Sequence, residues 1–459
     1  MFTIDFQHPI HVHFIGIGGI SMSGLSEILL NEGFTISGSD MKASDITSHL
    51  ENLGAKIFIG QKASNIISGI DLVVYTAAIH PDNEEYAAAK AAGLPMMTRA
   101  ALLGQIMANY KQSIAVSGTH GKTTTTSMLS HILLEACTDP TISVGGILDR
   151  IDGNIRVGNS DVFITEACEY TNSFLEFYPR YNIILNVEED HLDFFSGIEE
   201  IQKSFQTFAH QTAEDGLLVI NGDMDCVPYI TKDLKTPYVT FGCSGQDDYT
   251  AADITFDEKG CGHYELVIDG KKPGHIDLNV NGMHNVTNSL AAIAVAMAMK
   301  LPMDAIKRGL LSFGGTKRRF EYKGTLNGFT IIDDYAHHPT EISATLVSAK
   351  NYPHNELWCI FQPHTYSRTK AFLPGFIESL STCDHIILAD IFAAREADPG
   401  DIHSTDIVKG LKEKGCDAYY FSTFDEIQEF ILKHCKENDL VITMGAGDVV
   451  LIGENLLAK

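Results

Sequence analysis

The chain has 459 residues, 44% of them hydrophobic, with 33 basic against 59 acidic side chains and a net charge of −26. So acidic a surface repels nucleic acid and anionic lipid, which excludes both as expected partners, and a phosphorylated ligand must be held by local Arg and Lys, magnesium and backbone N–H groups. The length exceeds one domain and makes about three the starting expectation at ~150 residues each.

The nine cysteines are scattered and odd in number, with no C-x-x-C pair, which reads as reduced thiols in a cytosol and not as a disulfide framework or zinc site. The N-terminal MFTIDFQHPIHVHF has no basic region followed by an apolar core, so no signal peptide is expected. The longest near-apolar run, Leu290 to Met299, is about half of the ~20 residues that a membrane span needs. The expectation is a soluble cytoplasmic protein without membrane insertion, a monomer or homodimer.

In the first segment, residues 1–109, His11 to Ile15 reads as a strand, followed by GIGGISMSG and an apolar-periodic helix through Leu30. A second strand, Phe34 to Gly38, ends at Asp40. This βαβ unit has a glycine turn and an acidic residue about 20 positions on, but Ser21 stands where a dinucleotide fingerprint has its third glycine. A nicotinamide site, a site for another anionic nucleotide and a structural turn all remain open. Further strands at Asp71 to Tyr75 and Leu94 to Arg99 flank a helix, the alternation of a parallel sheet covered by helices. Because ligands sit at the C-terminal strand ends of such sheets, Gly16, Gly18, Gly19, Asp40, Thr76, Ala77, Ala78 and Ile79 are expected to face one crevice.

The second segment, residues 110–320, opens on a strand from Ser113 to Val116, then SGTHGKTTTTS over 117–127, then an apolar helix. A glycine loop between strand and helix frees backbone N–H groups that suit a phosphate chain. Gly118 and Gly121 allow close approach, Lys122 can reach terminal phosphates, and the Thr123 hydroxyl can bind magnesium. Val116 stands where the strict motif has its first glycine. Glu166, at the end of the strand Val162 to Thr165, is placed to hold that magnesium, with Glu169 just beyond. After the strand Tyr181 to Val187 come Glu188, Glu189, Asp190, His191 and Asp193. This is either a solvated acidic turn or a second metal position with His191 as nitrogen ligand, since crowded carboxylates call for a cation. Residues 236–280 read as an antiparallel addition. Asn285 and Asn288 share one face of the helix that follows, either as caps or as hydrogen-bonding groups for a base or phosphate. Lys317, Arg318 and Arg319 form either a clamp for phosphate or carboxylate or a solvated basic turn.

The third segment, residues 321–459, holds strands at Gly328 to Ile332, Leu357 to Phe361, His385 to Asp390 and Leu440 to Met444. Their C-terminal ends carry DDYAHH, QPHTYSRT, Ala394-Arg395-Glu396 and GAGD, so His, Tyr, Arg and Asp gather on the ligand side of a second doubly wound sheet.

GIGGISMSG, SGTHGKTTTT, DDYAHHPTE and FQPHTYSRT, in this order, resemble the Mur ligase family over essentially the whole chain, and are most similar to the members that add L-alanine to UDP-N-acetylmuramate. The resemblance implies an α/β protein of three domains. These are a Rossmann-like UDP-substrate domain (1–109), a central P-loop ATPase domain (110–320) and a Rossmann-like domain that brings the amino acid (321–459). The first glycine turn then binds a UDP-sugar and not a dinucleotide. The loop Gly118, Thr119, His120, Gly121, Lys122, Thr123 and Thr124 binds ATP together with His284, Asn285, Asn288, Arg319 and Asp334, the last at the ribose. Thr123 and Glu166 hold one Mg2+ and His191 the second. Lys122, His191 and Arg319 take the catalytic roles, and Tyr335, His337, His364 and Arg368 line the amino-acid pocket. The chain departs from some members at Thr365, where they carry arginine, and at Ala336, where they carry glycine.

The reaction implied is carboxylate activation through an acyl phosphate, attacked by the amine of L-alanine, with ADP and phosphate as products. Four alternatives are a ligase for a recycled murein tripeptide, a folylpolyglutamate synthase, a nicotinamide oxidoreductase and a non-catalytic nucleotide switch. The tight FQPHTYSRT loop, the segment 1–109, the phosphate loop and the full set of polar strand ends weigh against them in turn.

Overall fold

The computed structural model describes residues 2–76, 78–192, 194–394 and 396–458. Three separate sheets divide the chain. The first is built from β1 (His11–Ile15), β2 (Thr35–Asp40), β3 (Lys56–Ile59), β4 (Leu72–Tyr75) and β5 (Met96–Thr98), all parallel in the order β3-β2-β1-β4-β5. Val12, Phe14, Leu72 and Val74 are fully buried, as expected of parallel strands covered on both faces.

The second sheet has ten strands. Five are central: β6 (Gln112–Ser117), β7 (Thr141–Leu148), β9 (Val162–Glu166), β10 (Tyr181–Ile184) and β11 (Leu217–Asn221). The others are β8 (Gly153–Arg156), β12 (Tyr238–Gly242), β13 (Tyr249–Phe256), β14 (Cys261–Ile268) and β15 (Lys271–Asn281). The order is β15-β14-β13-β12-β11-β10-β6-β9-β7-β8. The antiparallel addition expected over 236–280 begins later than its composition indicated. β12 pairs parallel with β11 and β13 pairs parallel with β12, so only β13, β14 and β15 alternate in direction. The hairpin β7–β8 was not anticipated, and its strands meet with a register shift that weakens the period-two pattern.

The third sheet runs β16 (Glu321–Leu326), β17 (Phe329–Asp334), β21 (Leu440–Met444), β18 (Leu357–Phe361), β19 (His385–Leu388) and β20 (Asp417–Tyr420) in that spatial order. It is parallel except for the antiparallel edge strand β16, a departure from an all-parallel sheet that the turn Asn327-Gly328 makes by folding β16 back on β17.

One apolar core spans the first two sheets. It runs from Val12 and Phe14 through Leu102 and Ile106 to Phe163, Phe174 and Phe208. Tyr110 bridges them, its ring 5.7 Å from Phe6 and 5.0 Å from Phe163. A second cluster covers the opposite face of the second sheet under the apolar helix Met283–Ala298. The third sheet has its own two clusters. It meets the second at their polar strand ends, and the candidate site lies in that seam.

Candidate active site

β6 lies between β9 and β10, so the loop that leaves it is flanked by the ends of both neighbours. Gly118 and Gly121 have φ of +140° and +84°, and a Cβ on Gly121 would lie 2.9 Å from Asn288 Oδ1. Both positions therefore require glycine. Asn186, just past β10, brackets the loop: its Oδ1 accepts from the His120 N–H at 2.7 Å and its Nδ2 donates to the His120 carbonyl at 3.1 Å. The helix Lys122–Glu135 starts with no side-chain cap among the described residues, which leaves its first N–H groups free for an anion. Lys122 Nζ donates to the Gly118 and Thr119 carbonyls at 2.5 and 3.1 Å and lies 3.0 Å from Glu169 Oε2. Burial alone would lower its pKa, but Glu169 more than offsets that and raises it, so the ammonium stays charged.

The Thr123 hydroxyl donates to Glu166 Oε2 at 3.1 Å, and the Gly145 N–H donates to Glu166 Oε1. A hydroxyl beside a carboxylate is a hard oxygen pair, which suits Mg2+. His191, at φ +52°, sets its Nε2 3.8 Å from Glu169 Oε1 and 3.6 Å from Asp190 Oδ2. Burial lowers its pKa and favours the neutral form that a metal ligand needs.

The acidic turn after β10 does not gather as one carboxylate cluster. Glu188 accepts from the Thr340 hydroxyl at 2.8 Å and lies 3.5 Å from His120 Nε2. Asp190 pairs with Arg368 at 2.9 Å, Glu189 is exposed, and Asp193 lies outside the described residues. The protein's own cations and donors thus relieve much of the crowding that the sequence reading gave to a metal.

A cavity of about 950 Å³ opens beside the loop. His120, Gly121, Thr124, Asn186, His284, Asn285, Asn288, Lys317, Arg319 and Asp334 contribute to its wall. Its size falls in the range of small-molecule sites. Asn285 donates to the Asn281 carbonyl at 2.8 Å and Asn288 donates to Asn285 Oδ1 at 3.2 Å. Neither caps the helix; Asn288 instead buttresses Gly121. Burial, with Arg319 nearby, lowers the His284 pKa to about 4, so its ring is neutral. Asp334 is committed internally. It accepts from the Phe320 N–H at 2.7 Å, the Ala336 N–H at 2.8 Å and the Thr345 hydroxyl at 3.1 Å, and burial raises its pKa to about 6.

The basic run does not act as one clamp. Arg318 is turned into the third sheet, 3.1 Å from Asp333 Oδ2 and 2.7 Å from the Gly445 carbonyl. Consecutive side chains point in different directions, so only Lys317 and Arg319 face the cavity. The Arg319 guanidinium lies 3.8 Å from Glu341 Oε1 and 5.3 Å over the Tyr335 ring.

The ends of β17 and β18 bring Tyr335, His337, His364 and Arg368 together. The His337 ring is 5.4 Å from Tyr335 and 5.7 Å from His364, and Arg368 Nη1 is 3.2 Å from His364 Nδ1. Burial lowers the His364 pKa to about 4. Thr365, at φ +63°, caps the helix Tyr366–Ala371 and accepts from the Arg368 N–H. Arg368 is directed at Asp190.

At the first sheet the ends of β1, β2 and β4 lie side by side. Gly16 has φ +86°, and Gly19 starts the helix Ile20–Asn31 without a side-chain cap among the described residues. The Gly18 N–H donates to Asp40 Oδ2 at 2.9 Å, so Asp40 braces the glycine turn. Thr76 accepts from the Ala78 N–H at 3.2 Å and its carbonyl from the Ile79 N–H at 3.0 Å; Ala77 lies outside the described residues.

Three participants escaped the sequence reading. Glu341 is a half-buried hub, 3.2 Å from both His120 Nδ1 and His337 Nδ1, and part of the capping box of the helix Pro339–Asn351. A Glu three positions after a cap before an apolar run was the available signal. Asn186 carried no motif. Arg99 directly follows β5, on the sheet edge of the first glycine turn, and donates to the Ser21 hydroxyl at 3.0 Å. A lone cation at a parallel strand end could have marked it.

The comparisons with known proteins agree along the chain. Residues 11–111 match "Mur ligase family, catalytic domain", residues 116–296 "Mur ligase middle domain" and residues 318–447 "Mur ligase, glutamate ligase domain". A UDP-N-acetylmuramate–L-alanine ligase of Agathobacter rectalis is 59% identical over 459 residues, covering 100% of both chains. The crystal structure of the UDP-N-acetylmuramate–alanine ligase of Thermotoga maritima superposes with a TM-score of 0.79 at 30% identity, covering 98% of each chain. A murein peptide ligase of Psychrobacter arcticus follows at a TM-score of 0.70 and 25% identity, also over 98% of each chain.

Proposed function

The chain belongs to the Mur ligase family, and on that premise we propose that it joins L-alanine to the carboxylate of UDP-N-acetylmuramate with consumption of ATP, a step of peptidoglycan precursor synthesis in the cytoplasm. The domains assigned are 1–109 for the UDP-substrate, 110–320 for ATP and 321–459 for the amino acid. The observation that carries this reading is the seam itself. The phosphate loop, the cavity and the histidine–arginine group at the ends of β17 and β18 meet through His120, Glu188, Glu341 and Thr340. No helix of the described residues is long and apolar enough to cross a membrane.

ATP is taken into the cavity, with its adenine side toward His284, Asn285 and Asn288 and its phosphates along residues 118–123. A free carboxylate resists attack by an amine because its leaving group is poor, so the γ-phosphoryl group is first passed to it. Lys122 and the loop N–H groups offset the negative charge on the transferring group, and Arg319 supplies a further cation at the cavity wall. Thr123 and Glu166 are the residues that would hold one Mg2+, and His191 a second; bound there, the ions would neutralise phosphate charge. His364, His337, Tyr335 and Arg368 receive the amino acid. Arg368 pairs with its carboxylate, which directs the amine toward the acyl group. Contact between the second and third sheets excludes water, which would otherwise hydrolyse the acyl phosphate.

The test is phosphate release from ATP in the presence of UDP-N-acetylmuramate, with each amino acid and the murein tripeptide added in turn. L-alanine is expected to give the highest kcat/KM. Stimulation by the tripeptide in preference to L-alanine would overturn the assignment.

A further inference from the structure

The outer hairpin of the second sheet carries a group of ligating side chains that the ligation chemistry does not use. Along β14 and β15 the inward positions Tyr264, Leu266, Ile276 and Leu278 are buried. Strand alternation therefore turns His263, Glu265, His275 and Asp277 to the outer face. The register sets His263 opposite Asp277 and Glu265 opposite His275. Asp277 Oδ1 lies 2.7 Å from His263 Nδ1 and 3.3 Å from His275 Nε2, and the two rings are parallel within 5°. The far nitrogen of each ring faces another carboxylate. His275 Nδ1 is 2.8 Å from Glu265 Oε1, and His263 Nε2 is 3.9 Å from Asp257 Oδ2.

We propose that His263, His275 and Asp277 form a binding site for one divalent transition cation of the zinc class, with Glu265 and Asp257 orienting the two rings. One nitrogen of each imidazole is turned to a common carboxylate oxygen; the other nitrogen of His275 is held by Glu265 at 2.8 Å, and that of His263 faces Asp257 at 3.9 Å. That is the arrangement in which a ligating histidine is fixed in tautomer and direction. Zn2+ takes such ligands at ~2.0–2.2 Å in a tetrahedron, which sets neighbouring ligand atoms ~3.3 Å apart, so small side-chain rotations suffice. Two imidazoles select against Mg2+, which prefers oxygen ligands in an octahedron. The cation would cross-link β14 to the edge strand β15 and so stabilise the end of the ten-stranded sheet.

The full-length protein is titrated with Zn2+ by calorimetry and with Co2+ by visible absorption, in saturating Mg2+, beside a His263→Ala/His275→Ala variant. All nine cysteines are present in both proteins, so the difference reads this site alone. The wild type is expected to bind one more equivalent than the variant and to show a rise in thermal midpoint with Zn2+ that the variant lacks. Glu265→Gln is expected to weaken binding by about 10–100-fold. Equal stoichiometry and affinity in wild type and double variant would overturn the site. Wild-type affinity in Glu265→Gln would overturn the orienting role of Glu265.

Discussion

Arg368 Nη2 lies 2.9 Å from Asp190 Oδ1, tying the strand end after β18 in the third sheet to the strand end after β10 in the second. Both side chains are largely shielded, at 12% and 9% exposure. Burial would raise the Asp190 pKa, yet Arg368 with His191 holds it well below the usual carboxylate range. The guanidinium assigned to the amino-acid carboxylate is therefore already carrying a protein carboxylate, and substrate must share or displace it.

This relationship makes two variants diverge. Arg368→Ala is expected to raise the KM for L-alanine by ~10-fold or more while leaving those for ATP and UDP-N-acetylmuramate nearly unchanged, since a charged hydrogen bond contributes about 1.5–3 kcal/mol. Asp190→Asn frees the guanidinium and is expected not to raise the KM for L-alanine. Steady-state kinetics with each substrate varied in turn decides it. If Arg368→Ala raises all three KM values together, Arg368 supports closure of the domains instead.

Lys122→Ala is expected to lower turnover by ~10² or more while UDP-N-acetylmuramate still binds. Removal of one preorganised donor to developing charge costs about 3–4 kcal/mol, and the first glycine turn lies in a separate sheet. Turnover assays paired with calorimetry of the UDP-substrate test this; near-normal turnover would remove Lys122 from the chemistry.

His120 makes the seam sensitive to pH. Burial opposes its protonation, but the carboxylates of Glu188 and Glu341, 3.5 and 3.2 Å from its two ring nitrogens, prevail and raise its pKa from 6.5 to about 9. A raised pKa in the folded protein means that the contribution is fully present below pH 6.5 and is lost as pH rises through 9. At 1.36 kcal/mol per unit, its size is at most about 3 kcal/mol. The difference in thermal midpoint between wild type and His120→Gln should therefore shrink from pH ~6 to pH ~9.5. A difference that stays constant over that range would show that His120 is not protonated between the two glutamates.

Activity is expected to require a divalent cation, and His191→Ala to raise the Mg2+ concentration that gives half-maximal rate. Burial favours the neutral form of His191, and its ring lies close to Glu169 and Asp190, which suits a ligand. An unchanged Mg2+ dependence in the variant would leave His191 a role in shaping the turn.

The glycine loop, the strand ends and the division into three α/β units were legible in the sequence because each is a local pattern. Gly118, Gly121, Lys122 and Thr123 fall within six residues, and the apolar strands that precede polar ends announce a parallel sheet. What the polar groups do at those ends depended on which strands became neighbours. β6 between β9 and β10 brings Glu169 to Lys122 and Asn186 to His120, and no local period encodes that order. The same holds across the seam. The acids after β10 read either as a solvated turn or as a metal position, and it is the third sheet that supplies Arg368 and Thr340 to two of them. Arg318 and Arg319 are adjacent in sequence, yet one is bound inside the third sheet and the other faces the cavity. The sequence by itself determined which chemistry could occur, because residue types and short spacings suffice for that. Only the tertiary structure decided which charges meet, because pairings such as Arg368 with Asp190 and His120 with Glu341 join residues far apart in the sequence and follow from strand order and domain packing.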